Sequence, residues 1–334
     1  MTTLAHDVPN ILDVSSRYTE DGKPLPIAEV LTKRKPVFMA IPFVETNTTN
    51  GHRIVVETEL PAAVLRKLNA GVKPSTGRAN GLTEATAEFA SLGQVDKVLA
   101  QLSTNVSDFR VKKNGRHIEA IGQMFEDQFF NGSAVTPEGF VGLKERYQYT
   151  TGVLSRQVIN CAGTGSDLTS MFVVGWGPDS VYGIYSKGTQ AGIQHTDYGD
   201  ELVSDGAGGF FPAYRDWFAL QAGIAIEEPR NIVRVANIDQ DALKVAPVAG
   251  TDLILTNELI KAVNRIEYMN MERAVIYVNR DIHEWLDLQA NNRSILGLTT
   301  SENIEGKAVL KFRGIPIEKT DSLGWNEDAI GAAP

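Results

Sequence analysis

The sequence predicts an α+β fold of two domains, preceded by an irregular arm and an extended β-hairpin. Three observations predict it. An apolar stripe at helical spacing stops at Asn131-Gly132. Alternating residues run from Arg53 to Leu60 behind an Asn-Gly turn. Beyond Leu143, short apolar strands punctuated by glycine alternate with amphipathic helices. A length of 334 residues agrees with about two domains, and 43% hydrophobic content is ordinary for a chain with a real core.

Residues 1 to about 35 carry little regular pattern, because Glu20-Asp-Gly-Lys-Pro24 and Pro26 interrupt it; apart from a short helix around Ile27 to Leu31 they read as an arm. Val37 to Phe43 and Arg53 to Leu60 read as two strands joined by Thr46-Asn-Thr-Thr-Asn-Gly51, whose final pair favours a hairpin turn. In the second strand Ile54, Val56, Thr58 and Leu60 share one face, while Arg53, Glu57 and Glu59 share the other. A two-stranded ribbon is marginal alone in water, so its apolar face calls for a cover such as another subunit. Arg53, Ile54, Val56, Glu57 and Glu59 are therefore the candidate contacts between subunits.

Gly71 to Gly81 is loop-like, Thr83 to Phe89 alternates as a strand, and Val95, Val98, Leu99 and Leu102 mark a short amphipathic helix. The main helix spans Val111 to Phe130. Ile118, Ile121, Phe125 and Phe129 form its apolar stripe, with Glu119, Glu126 and Asp127 turned away. Gly132, in a left-handed conformation, lets the chain turn back; Pro137 blocks a restart, and Phe140, Val141 and Leu143 anchor the return loop. Met171 to Val174, Ile232 to Ile238 and Ala274 to Val278 read as strands of a mixed sheet in a separate domain. Leu255, Leu259, Ala262, Val263 and Ile266 form one side of a helix from Leu253, and Ile282, Trp285, Leu286 and Gln289 begin another. Ile304-Glu-Gly306 precedes a terminal hairpin of Ala308 to Phe312 and Ile315 to Ile317 around Gly314.

Composition excludes several classes. No apolar run approaches the roughly 20 residues of a membrane helix, and the start, with His6, Asp7 and Pro9, lacks the order of a signal peptide, so the chain reads as a cytosolic product. A single cysteine, Cys161, forms no internal disulfide and suits a reducing compartment. The net charge of −9 argues against wrapping nucleic acid, which rests on clustered cations; Lys33-Arg-Lys35 and Lys112-Lys113 read as solvated faces.

Nothing in the sequence assembles into a catalytic, cofactor or metal site. His6, His52, His117, His195 and His283 are too far apart in sequence for a local zinc motif. Asp239-Gln-Asp241 lacks the glycine and terminal glutamate of a calcium loop. Gly163-Thr-Gly-Ser-Asp167 has the glycines of an anion cradle but no lysine, and Asp167 would repel phosphate. Gly175-Trp-Gly-Pro178 has no third glycine placed for a dinucleotide. His195 and Asp197 have no serine in a nucleophile elbow, and Tyr214-Arg-Asp-Trp-Phe218 reads as core on one side and ion pairing on the other.

The helix ending at Asn131-Gly132, with a return loop closing on Gly142-Leu143, resembles the spine-helix exit of tailed-bacteriophage major capsid proteins, the Hong Kong ninety-seven fold. The likeness runs along nearly the whole chain. Gly163 to Gly177, Lys187 to His195, Arg234 to Asp239 and Gly314 to Asp321 resemble segments of the short-tailed phage and prophage branch. The resemblance implies an N-terminal arm (1–35), an extended loop (36–80), a peripheral domain (81–143 and 300–334) with its spine helix at 111–130, and an axial domain (144–299). It also implies a structural role without catalytic residue, cofactor or metal. On that resemblance, copies of the chain would assemble into pentamers and hexamers of an icosahedral head around double-stranded DNA, bound without sequence specificity. Implied partners are a separate scaffolding protein, since only about 35 residues precede the first predicted strand, a portal protein at one vertex and a cement protein; no membrane is involved. The product would be made in the host bacterial cytoplasm and reside in the virion. Lys67 and Asn69 lie near the extended loop, but their setting does not identify cross-linking chemistry, so noncovalent assembly is expected. Two other readings are a bacterial encapsulating compartment of the same fold and a soluble α/β enzyme that depends on His195 or Asp197.

Overall fold

The computed structural model describes residues 35–49, 51–102, 105–136, 138–189, 191–204, 208–244, 255–266, 273–291, 298–302 and 308–331. The predicted arm lies almost wholly outside them, as do Pro137 and Ile304-Glu-Gly306. The described chain opens with helix α1 (Pro36–Ala40), where proline at the start loses no helical hydrogen bond. This corrects the strand expected over Val37 to Phe43: Val37 and Ile41, four apart, are both buried, and the Ile41 N–H donates to the Val37 carbonyl at 3.0 Å. Strand β1 is only Phe43–Glu45.

Strand β2 (His52–Glu59) pairs antiparallel with β3 (Arg78–Glu84), from His52 opposite Glu84 to Glu59 opposite Arg78. The hairpin expected between Val37 to Phe43 and Arg53 to Leu60 therefore does not form; the partner of β2 lies partly inside the segment read as a loop. Arg-Ala-Asn-Gly-Leu-Thr-Glu has little strand propensity of its own, so register with β2 fixes it.

A five-stranded sheet follows. β4 (Thr86–Asp96) pairs along its whole length with β9 (Phe210–Ile226). On the other edge of β9 lie β7 (Val181–Tyr185) and β8 (Gln194–Ser204), and β1 runs parallel to β7. Helix α2 (Lys97–Gln101) leaves β4 directly, capped by the Asp96 carboxylate, which accepts from the Val98 N–H at 2.7 Å. Of the apolar residues predicted for this helix, Val98, Leu99 and Leu102 are exposed rather than buried.

Helix α3 (Val106–Asn131) starts five residues earlier than predicted, because the Asn105 side chain accepts from the Ser107 N–H at 3.0 Å and caps it. Its 26 residues lay Ile118, Ile121, Phe125 and Phe129 against Ala87 and Phe89 of β4 and Phe218 and Leu220 of β9. Phe125 sits among Phe38 at 4.7 Å, Phe89 at 5.7 Å and Phe140 at 6.1 Å between ring centroids. Glu126 does not turn away as its spacing suggested. It is 1% exposed and pairs with Lys35 at 3.3 Å, so the start of the described chain is tied to the helix. Gly132 also differs: it is not left-handed, but a Cβ there would meet the Phe140 carbonyl oxygen at 2.4 Å. Close approach, not turn geometry, requires this glycine. The return loop is then tied down by Gly142 N–H to Gly132 O (2.8 Å) and Gln128 Nε2 to Phe140 O (2.8 Å), and it leads into α4 (Leu143–Arg146).

The seven-stranded mixed sheet has the order β12 (Leu298–Glu302), β13 (Ala308–Phe312), β14 (Ile315–Lys319), β11 (Ala274–Val278), β6 (Leu168–Gly175), β10 (Ile232–Asp239), β5 (Val158–Asn160). Helices α6 (Leu255–Arg265) and α7 (Arg280–Asn291) bring Leu259, Val263, Ile282 and Leu286 to the same core as Met171 and Val173. Phe172 and Val174 alternate to the opposite face, where Phe130 at the end of α3 lies 5.6 Å from Phe172. Cover on both faces explains why every residue of β6 is buried.

Strand pairing crosses the boundaries drawn from sequence at 143/144 and 299/300. β4 pairs with β9, and the terminal hairpin joins the second sheet with Ile317 opposite Ile276. The chain end then ties the seven-stranded sheet to the end of α3: Glu327 accepts from Arg234 Nη2 (2.8 Å) and Ser170 Oγ (2.5 Å), and Asn131 Nδ2 donates to Ser322 O (2.9 Å).

Candidate assembly interface

The β2–β3 hairpin is fixed at its root and free at its tip. At the root Ile54 is buried against Tyr182, Ile184 and Ala225. His52 Nε2 lies 3.0 Å from the Tyr182 hydroxyl, and Asn47 bonds both ways with the Arg53 backbone at 2.7 and 2.8 Å. Glu84 accepts two bonds from the Arg146 guanidinium at 2.6 and 2.5 Å, a bidentate pair whose both members are largely buried.

The predicted contact residues separate accordingly. Ile54 already has its cover within the chain, and Val56 packs partly against the same cluster. Arg53 and Glu59 are exposed, and Glu57 pairs with Ala79 in the ladder. Leu60 is exposed just beyond the end of β2.

Sequence reading missed the larger feature, the connection from Leu60 to Gly77. Every residue in it is exposed, including Leu60, Val64, Leu65, Leu68 and Val72; Leu65 and Leu68 are 104% and 96% accessible. The same stretch carries Arg66, Lys67 and Lys73 and no Asp or Glu, in a chain of net charge −9. That charge contrast was readable in the sequence; the exposure was not. Local bonds shape the loop, with Arg66 Nε donating to Ala70 O (2.8 Å) and Ser75 Oγ to Ala62 O (3.0 Å). Such a surface is unusual on a chain that stays alone.

The segments weighed for chemistry have structural roles. His195 meets Asp216 at 2.8 Å rather than Asp197, and the Arg110 guanidinium from α3 holds both carboxylates, at 2.9 Å each. Burial acts to raise Asp216, but His195, Arg110 and Asn114 more than offset it and hold its carboxyl below the usual range. Ser91 is bonded to His117 at 2.8 Å, not poised beside His195. Arg215 pairs outward with Glu201 at 2.9 Å while Asp216 and Phe218 point inward. Gly163 is packed against β10, where a Cβ would lie 2.4 Å from Asn237 O. Asp239 caps α5 (Gln240–Lys244) through the Asp241 N–H at 2.8 Å. Trp176 is buried against Phe129, its ring centroid 5.7 Å away. Burial pushes the Cys161 thiol up to about 12, which removes it as a nucleophile near neutrality. Among the described residues no group of His, Cys, Asp and Glu is placed to hold a metal, and no helix is long and apolar enough to cross a membrane.

Comparison with known proteins places this geometry. The family model described as major capsid protein GP7 matches residues 19–331. The near-atomic cryo-EM structure of bacteriophage Epsilon15 is similar at 28% identity over 99% of both chains, with a TM-score of 0.66. The bacteriophage JBD30 capsid is 8% identical over 92% of this chain and 97% of its own, with a TM-score of 0.49. The holo-SrpI encapsulin of Synechococcus elongatus is 10% identical over 62% of this chain and 88% of its own, with a TM-score of 0.41. No curated protein matches the chain.

Proposed function

The chain belongs to the major capsid protein GP7 family, and from that premise we propose how it builds its shell. It is a structural capsid protein of Hong Kong ninety-seven-like fold, a virion component that self-assembles, and not an enzyme. The finer reading is that pentamers and hexamers close into an icosahedral head. The observation that carries it is the exposed Leu60 to Gly77 connection on a hairpin whose root is locked into its own chain.

The five-stranded sheet with most of α3 forms the peripheral domain, and the seven-stranded sheet with α6 and α7 forms the axial domain. Arg53, Val56, Glu57 and Glu59 contribute to the contact between subunits along the hairpin, while Ile54 supports them from inside. A monomer cannot cover so many exposed apolar groups, and many modest contacts repeated around a closed shell reinforce one another. The shell encloses double-stranded DNA; a net charge of −9 repels the genome on average instead of trapping it. Synthesis in the host cytoplasm, a separate scaffolding protein, a portal protein at one vertex and a cement protein complete the reading, and assembly is noncovalent.

Cryo-electron microscopy of particles formed by the chain, with an assay of their contents, tests this. Icosahedral shells that hold DNA are expected. Shells filled with protein cargo and lacking nucleic acid would favour an encapsulating compartment, and small oligomers under every assembly condition would refute the shell.

A further inference from the structure

The entry of the chain into α1 is held by a buried ion pair. Lys35, the residue before the first turn, meets Glu126 Oε2 on α3 at 3.3 Å, with side chains only 11% and 1% exposed. The other oxygen, Oε1, is buried without a hydrogen-bond partner. We propose that this pair is an acid-released latch: when Glu126 takes up a proton, Lys35 is freed and α1 loosens from α3. Lys35 makes no side-chain capping bond to α1, and a five-residue helix is far too short to stand without tertiary support. The rest of its hold is apolar, with Val37 fully buried and the Phe38 ring 4.7 Å from Phe125. α1 also borders an open cleft of about 440 Å³, whose walls include Pro36, Ala40, Ile41, Arg273 and Glu318, so it has room to move.

The groups around Glu126 decide the direction of the response. Burial raises its carboxyl; Lys35 and the Thr320 hydroxyl only partly offset this, and Asp321 adds to it. Asp321 is itself held by Arg280 at 2.8 Å. From β11, the Tyr277 hydroxyl is pushed up by burial and stays neutral, accepting from Trp176 Nε1 at 3.1 Å. Glu318, in the cleft beside α1, is also raised by burial, so acid removes its charge as well. The folded value of Glu126 thus lies above the unfolded one, and acid favours its buried neutral form while Lys35 loses its counter-charge. The flexible lysine stem can then carry the ammonium out to water. A latch therefore loosens α1 in acid without loosening α3, whereas a general acid weakening moves both the same way.

Hydrogen exchange on full-length subunits tests the latch, and because it lies within one chain the test stands whether or not shells form. The reporter is the Ile41 amide, which donates to Val37 O at 3.0 Å and closes α1. As pH falls from about 7.5 toward the ordinary glutamate value of about 4.3, its exchange is expected to rise on the order of tenfold, corrected for the intrinsic pH dependence, while the buried turns of α3 stay protected. Glu126→Gln, which mimics the protonated form, should show the fast rate already at pH 7.5 and little change in acid. Lys35→Met should do the same with Glu126 intact. Native exchange at Ile41 that ignores pH, or that rises only together with α3, would overturn the proposal. So would a native slow rate in Glu126→Gln at pH 7.5. Should that variant fail to fold, Lys35→Met decides: Ile41 exchanging at the native rate at pH 7.5 would show that the ion pair does not hold α1.

Discussion

Replacing Arg110 by alanine is expected to destabilise the subunit by about 3–5 kcal/mol at neutral pH, because removing one partner of a buried ion pair leaves the other charge uncompensated. Arg110 is 3% exposed, and its Nη2 donates to Asp197 at 2.9 Å and to both oxygens of Asp216 at 2.9 and 3.0 Å. Without it Asp216, 2% exposed, keeps His195, and Asp197 keeps the Gly199 N–H at 2.7 Å. The surface pair Arg280–Asp321, 66% and 67% exposed, is the control: Arg280→Ala is expected to lose at most about 1 kcal/mol. The pH dependence separates this from a packing defect. In the native chain the Asp216 carboxyl is depressed, so its contribution is fully present above the unfolded carboxylate value of about 3.9 and is lost as pH falls through the folded value. In the variant the Arg110 partner is gone and burial acts to raise Asp216, so acidification toward pH 4 relieves the variant while the native chain still keeps this contribution. The difference between the two should shrink from pH 7 to pH 4, read as urea midpoints of dissociated subunits followed by circular dichroism. A loss below 1 kcal/mol, or one that does not change with pH, would refute the ion-network reasoning.

Phe125→Ala should cost about 3–5 kcal/mol, since the ring is fully buried among four aromatic neighbours, Phe38, Phe43, Phe89 and Phe140; a loss under 1 kcal/mol in chemical denaturation would mean the helix–sheet core is not where stability resides. Burial raises the Glu126 carboxyl and Lys35 only partly offsets it, so the stability tied to this group falls as pH rises through the folded value. Glu126→Gln should flatten that slope in melting temperature against pH, and parallel profiles for variant and native chain would contradict it. Gly132→Ala, whose Cβ would meet backbone oxygens at 2.4 and 2.5 Å, should destabilise by about 1–3 kcal/mol, and a neutral result in thermal melts would show that the return loop relaxes freely.

The two halves of the fold differed in how legible they were. Helix α6 could be read from Leu255, Leu259, Ala262 and Val263 because one face meets one sheet, and all four are buried. The terminal hairpin could be read because Gly314, at φ 86°, sits in the turn between two alternating runs. Strand β3 could not, because its identity comes from pairing with β2 across a loop of 18 exposed residues, not from Arg-Ala-Asn-Gly-Leu-Thr-Glu itself. Glu126 misled for a related reason: helical spacing cannot know that the chain before α1 returns to cover that face with Lys35. At the interface, the alternation of Arg53 to Glu59 was visible, but which face the chain itself covers depends on Tyr182, Ile184 and Ala225, more than 120 residues away. That His195 meets Asp216 rather than Asp197 was not readable in the sequence, because it follows from the pairing of β8 with β9. The Arg110 that gives those residues their structural role depended on the tertiary placement of α3.

The distribution of charge divides the chain into a body that is finished and a loop that is not. Within the body, Arg110, Arg146 and Arg234 are each held by a buried carboxylate, so little electrostatic attraction is left over from them for a neighbour. The loop has the opposite design, with Arg66, Lys67 and Lys73 and no Asp or Glu from Leu60 to Gly77. Exposed charges act over a Debye length of about 8 Å at physiological ionic strength and are screened beyond it, whereas the buried pairs are screened much less. Raising salt should therefore weaken the association of subunits well before it weakens their folding. That separation suits a container assembled from many copies: each contact stays weak enough to reverse while a ring is incomplete, and closure makes the contacts support one another.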